Sequence, residues 1–177
     1  MAAQIQRQIQ KAFGGMLAVY KGLEGEGYFG HRGPFHAKVS IELDGKRLVE
    51  YEESLGSPGP DRPPFDAIAR SKHAISRRAG EDTVDVPLAD RMIGDTQYWG
   101  SVVREFEGGR IIVAISGLQP WFDEALSGVL ASILLGLLKH EELVPQGFEP
   151  DRSRPDFLTE EWLSELPESH AAESAWP

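Results

Sequence analysis

Glu107-Gly108-Gly109-Arg110-Ile111-Ile112-Val113-Ala114-Ile115-Ser116-Gly117-Leu118 holds five consecutive apolar residues between glycine-bearing ends. A strand with side chains this apolar on both faces belongs at the centre of a sheet. Upstream, Gly100 to Phe106 supplies its hairpin partner around Glu107-Gly108-Gly109. Downstream, Ser116-Gly117 forms a turn ahead of Pro120, and Asp123 and Glu124 suit the first turn of a helix, where the backbone dipole favours negative charge. From Trp121 on, Phe122, Leu126, Val129, Leu130, Ile133, Leu134 and Leu137 form a broad apolar stripe on what is expected to be the longest helix of the chain. That stripe requires cover from the sheet or from another subunit.

Ala37, Val39, Ile41 and Leu43 alternate with Lys38, Ser40 and Glu42, which predicts a strand with one buried face. Asp44-Gly45 turns it into a hairpin with Arg47 to Glu53. A tight loop would set Glu50 opposite Val39. A longer or bulged loop sets Val49 opposite Ile41 and Tyr51 opposite Val39, and is favoured because register follows the buried face. Leu55 to Pro64 carries four prolines and two glycines and reads as a loop. A helix follows, with Phe65, Ile68, Ala69, Ile75 and Ala79 on one side and Gly80 as its stop. At the start, Ile5, Ile9, Ala12 and Phe13 predict a helix over about residues 3–13, ended by Gly14-Gly15, with Met16 to Tyr20 as a short strand. The order of elements predicts an α+β fold: one antiparallel sheet with packed helices and a long C-terminal helix.

The chain has 177 residues, enough for one domain of ordinary size, and a formal charge of -10. An acidic chain repels duplex nucleic acid and anionic membrane, so neither is expected as a partner. With no cysteine, thiolate catalysis, disulfides and Cys-type metal sites are excluded. Asp123, Glu124, Ser127, Gly128, Ser132 and Gly136 break up the apolar stretch from Trp121 to Leu138, which reads as a buried helix rather than a membrane span. Met1-Ala2-Ala3-Gln4 lacks the arrangement of a secretory signal, and a cytoplasmic location is the expectation. The absence of Asn and the excess of Arg over Lys are the usage of a GC-rich, bacterial coding sequence. Residues 150–177 carry seven acids, two arginines and four prolines, hence -5 of the total. That shift divides the chain into a domain over 1–149 and an acidic tail over 150–177. Within the tail, Phe157, Leu158, Trp162, Leu163 and Leu166 have the spacing of a short amphipathic helix that docks on its own domain, a sister subunit or a partner groove.

Gly25-Glu26-Gly27-Tyr28-Phe29-Gly30 matches the dinucleotide-binding glycine pattern, but His31-Arg32-Gly33-Pro34 does not open the helix that the phosphates would need, and Glu24 and Glu26 repel them. A glycine-rich turn is the better reading. Ser116 sits where a strand meets a helix, yet Ala114 and Leu118 stand where a nucleophile elbow has glycines. No catalytic constellation is readable. The five histidines show no metal-ligand spacing, so no metal site is assigned. His31 and His36 bracket an aromatic, glycine-rich loop able to offer an axial ligand and stacking faces to a flat macrocycle. Arg62, Arg70, Lys72, His73, Arg77 and Arg78 make residues 61–78 net positive, the best seat for a carboxylate or propionate. Two readings of that face stay open: a ligand site at His31, His36, Arg70, Lys72, His73 and Arg77, or a helix face making internal ion pairs.

Gly109 to Gly117 followed by Asp123-Glu124-Ala125 resembles the closing signature of the GlcG/HbpS-like proteins: a glycine turn, an apolar strand, Ser-Gly, then Asp-Glu opening the last helix. Val39 to Gly45 with Leu48 resembles that family's first hairpin, and Ile68 to Lys72 its intervening helix, so the likeness spans about residues 37–135. Ile112 and Ala114 stand where the family has glycines, and the expected short first helix and glycine-rich loop stand in place of its long N-terminal helix. The resemblance implies a profilin-like sandwich, a homo-oligomer, and a module that binds a small molecule such as haem or a corrinoid. It carries over no ligand residues. The other expectation, of a different class, is a non-catalytic assembly protein acting through its oligomer surface and acidic tail.

Overall fold

A computed structural model of the chain describes residues 1–26, 35–56 and 63–145, all within one compact unit, Met1–Gly147. In chain order these form α1 (Ala2–Gly25), β1 (Phe35–Leu43), β2 (Lys46–Leu55), α2 (Phe65–Ala79), a 3-10 turn (Leu88–Asp90), β3 (Ser101–Phe106), β4 (Gly109–Ser116) and α3 (Pro120–His140). The strands make one antiparallel sheet in the order β2-β1-β4-β3. The fold is therefore α+β, as the pattern of elements predicts. The expected tail helix and His31 lie outside the described residues.

β4 is central, between β1 and β3, and its side chains from Ile111 to Ser116 are buried. The hairpin of β1 and β2 has the bulged register: Ile41 faces Val49, Val39 faces Tyr51, and the shift falls between Ile41 and Glu42. Asp44 and Gly45, at φ 50° and 73°, make the left-handed turn, a conformation that Gly adopts freely and Asp tolerates.

One face of the sheet packs against α1 and α3, which also pack on each other. Ala37, Val39, Ile41, Val102, Ile111, Val113 and Ile115 meet Ile5, Ile9, Phe13, Leu126, Leu130 and Leu134 there in the main core. α2 covers the opposite face. This second cover corrects the expectation of a single buried face for β1: Lys38, Ser40 and Glu42 are buried too, because α2 lies over the polar side and its own polar groups answer theirs.

Two further expectations change. α1 runs unbroken through Gly14 and Gly15 for 24 residues, so there is no early stop and no strand at Met16 to Tyr20, and α1 rather than α3, at 21 residues, is the longest helix. Its buried positions continue from Phe13 to Met16 and Tyr20 at helical spacing, so packing outweighs the cost of two interior glycines, roughly 1 kcal/mol each. At Gly15 the small residue is used, for a Cβ there would sit 3.0 Å from Ile133 of α3. On α3 the buried stripe is narrower than expected: Leu126, Leu130, Leu134 and Leu138 are buried, whereas Phe122, Val129, Ile133 and Leu137 are only partly covered. By length and composition alone α3 would cross a membrane, but its buried side packs on α1, β3 and β4.

Candidate functional site

α2 carries its cations toward three different surroundings. Arg70 is half exposed and binds the carboxylates of Glu52 on β2, 2.8 Å away, and Asp66, 3.1 Å away. Arg70, helped by Lys38 and opposed by burial, holds the Glu52 carboxyl down at about 2. Arg77 pairs with the buried Glu42, whose other oxygen accepts from Arg110 at 2.9 Å. Burial pushes Glu42 upward, but the two guanidinium groups together outweigh it and the net shift is down. His73 is buried, with Nε2 2.8 Å from Ser40 Oγ. Desolvation first, then the charge of Lys38, lowers it to about 4, so the imidazole is neutral at physiological pH.

His36, at the start of β1, is also buried; Nδ1 lies 2.7 Å from Ser54 Oγ, while Nε2 has no hydrogen-bond partner among the described residues and lies 3.3 Å from Glu52. With that nitrogen enclosed, an axial bond to a metal would require His36 or Glu52 to move. The face expected to seat an anion thus has Arg70 and Arg77 engaged by Glu52 and Glu42, and His36, Arg70, Lys72, His73 and Arg77 do not converge on a common space.

Of these residues, Arg77 lines an open hollow with Glu42 and Arg110, and Lys72 reaches a more enclosed cleft. Its side chain crosses beneath the end of β4, where Nζ donates to Ile115 O at 2.9 Å and to Asp123 Oδ2 at 2.7 Å. Both side chains are buried, 1% and 3% exposed, so the charges are compensated almost wholly by each other and by backbone. Burial pushes Lys72 down and Asp123 up, and the mutual attraction opposes both shifts. Asp123 stands in the first turn of α3, and its Oδ1 accepts from Leu118 N at 3.0 Å. That one carboxylate binds α2 to the β4–α3 turn.

The cleft above the pair encloses about 250 Å³ between the start of α2, the β4–α3 turn and the approach to β3. Phe65 and Ile68 come from α2, Leu118 and Pro120 from the turn, and Tyr98 from the segment before β3. Arg91 organises that segment by donating to the carbonyls of Thr83, Val86 and Thr96. Thr83 then ties it to the sheet by accepting from Gly100 N and Ser101 N, each at 2.9 Å. Gly100, at φ 128°, leaves room for the ion pair: a Cβ there would meet Asp123 Cβ at 2.6 Å and Lys72 Nζ at 3.0 Å.

Ser116, singled out above only to be set aside as a nucleophile, lines this cleft and is 3% exposed. Sequence reasoning missed Asp123 and Tyr98; the Asp-Glu at the start of α3 was readable only as a helix-opening feature. Two more open hollows are lined by Arg104, Trp121 and Glu124, and by Glu42, Arg77 and Arg110. Among the described residues no three His, Asp or Glu side chains stand close enough to hold a metal ion together. Gly25 ends α1, so a helix rather than a strand leads into the glycine pattern, and the context of a dinucleotide site fails.

No protein-family model matches the chain, and neither curated proteins nor solved structures give a match.

Proposed function

We propose that the chain is a small-molecule-binding module of the GlcG/HbpS-like type that takes its ligand in the cleft over Lys72 and Asp123. The observation that carries this reading is the buried ion pair at the floor of an apolar-walled cleft. Such a pair adds little net stability compared with apolar packing, so charge kept there favours a binding role. The 24-residue α1 also supports the likeness, since a short first helix was one of the departures from that family. The family's ligands make haem, a corrinoid or another anion the first candidates. At about 250 Å³ the cleft is smaller than the roughly 300–1,000 Å³ of drug-sized sites, so a tetrapyrrole would place only an uncharged ring edge inside it and keep its carboxylate arms outside. Arg70 and Arg77 would serve those arms only by exchanging Glu52 and Glu42 for them.

The test is titration of the full chain with haemin, followed at the Soret band, and with cobalamin, together with a native mass spectrum of the freshly purified protein. A saturable shift or a retained adduct is expected, and it should be lost in Ile68→Trp, which fills the cleft from α2. Absence of any saturable response and of any adduct overturns the reading.

A second reading, assembly through an oligomer surface, is favoured by the apolar side chains around the approach to β3. Val84, Leu88, Met92, Ile93 and Tyr98 are all exposed, as is Trp121. A second copy of the chain covering this surface makes a homo-oligomer. Light scattering at micromolar protein should then exceed the monomer mass of 19.6 kDa and return to it in Ile93→Asp; a wild-type monomer overturns it.

A further inference from the structure

We infer that the cleft selects a compact, uncharged ligand whose polar end is a carbonyl oxygen and whose body is a flat apolar ring; this rests on the cleft being the binding site. The polar end follows from hydrogen-bond capacity. An ammonium has three protons, and Lys72 Nζ spends one on Ile115 O and one on Asp123 Oδ2, with no described residue accepting the third. Ser116, 3% exposed, brings a hydroxyl donor into the lining of the same cleft. A carbonyl oxygen has two lone pairs, enough to accept from both. Leaving two such donors dry and unpaired is costly, so a ligand lacking an acceptor is rejected.

The absence of ligand charge follows from the floor's balance. Asp123 already neutralises Lys72, and its second oxygen already accepts from Leu118 N at the start of α3. A carboxylate entering beside Nζ would bring a second negative charge to a cation that one carboxylate has paired, in a site partly shut off from water. A phosphate would bring up to two. A carbonyl dipole meets the same donors and leaves the floor neutral. The body follows from the walls, where Phe65, Ile68 and Tyr98 offer aromatic and branched apolar surface to a planar ring.

The experiment uses three probes with one ring, namely benzamide, benzoate and phenyl phosphate, titrated calorimetrically into the full chain at pH 7. Benzamide should saturate, benzoate should bind at least tenfold more weakly, and phenyl phosphate should give no saturable heat. Ser116→Ala, which removes only the hydroxyl, should weaken benzamide about fivefold, and Ile68→Trp should abolish it. If benzoate or phenyl phosphate binds as tightly as benzamide, and Ile68→Trp abolishes that binding, the uncharged-ligand inference fails while the cleft stands. If benzamide binding is indifferent to Ser116→Ala, the assignment of the polar end fails. If no probe binds, or if binding survives Ile68→Trp, the cleft itself is refuted as the site.

Discussion

Ser40 Oγ on β1 and His73 Nε2 on α2 lie 2.8 Å apart beneath α2, both shut off from water. The histidine is buried in its neutral form, with its pKa lowered from 6.5 to about 4 by desolvation and by Lys38. Between those values the unfolded chain binds the proton and the folded chain does not. The contribution of His73 is therefore present above pH 6.5 and is lost as the pH falls toward 4. From pH 7 to 5 the loss amounts to about 2 kcal/mol, at pH values above the range of about 4.5 to 2 through which the contribution of Glu52 is lost. Urea unfolding at pH 7, 6 and 5 should show this slope in wild type and a much flatter one in His73→Gln. Equal slopes would mean that His73 is not buried neutral.

Removing one partner of the pair between α2 and α3 should cost far more than removing both. Lys72→Met strands the Asp123 carboxylate in a dry site, at about 3–5 kcal/mol. Adding Asp123→Asn should recover part of that loss, because the amide still accepts from Leu118 N and carries no charge. Denaturant midpoints of the two single variants and the double variant measure the coupling; strictly additive losses would show that the side chains do not interact.

Gly14 and Gly15 distinguish a continuous α1 from one that stops early. A Cβ at Gly14 meets nothing within 4 Å, so Gly14→Ala should stabilise the protein by roughly 0.5–1 kcal/mol. Gly15→Ala should gain less, because its Cβ presses on Ile133. A destabilising Gly14→Ala, read by thermal melting, would mean that the helix ends before it.

At the centre of the sheet, Val113 has no exposed surface and is paired with Val39 on one side and Val102 on the other. Val113→Asp places a charge there without a partner and should cost several kcal/mol, enough to unfold a domain of ordinary stability. An unchanged circular dichroism spectrum and melting temperature would show that β4 is not the central strand.

The strands were legible because their signals are local. Alternation from Ala37 to Leu43 sets which residues share a face, and the unbroken apolar run from Ile111 to Ile115 marks the strand covered on both sides. Even the bulge between Ile41 and Glu42 could be expected, since the alternative register would have put Glu50 rather than Tyr51 opposite Val39. At the cleft, legibility was partial: Lys72 stood out as one cation among several, and nothing local separated it from Arg70 or Arg77.

What the sequence determined by itself is therefore the class of fold, the two strand pairs with the helices between and after them, the hairpin register and the central strand, all of which depend on neighbours within a few residues. The tertiary structure decided the rest. It set α2 over the polar side of β1, carried α1 past two glycines against α3, and joined Lys72 to an aspartate 51 residues further along the chain. The physical reason is that periodicity reports which side of an element is apolar but not what docks on it. Whether a charge is solvated, paired or turned into a cleft depends on groups that only folding brings within hydrogen-bond reach.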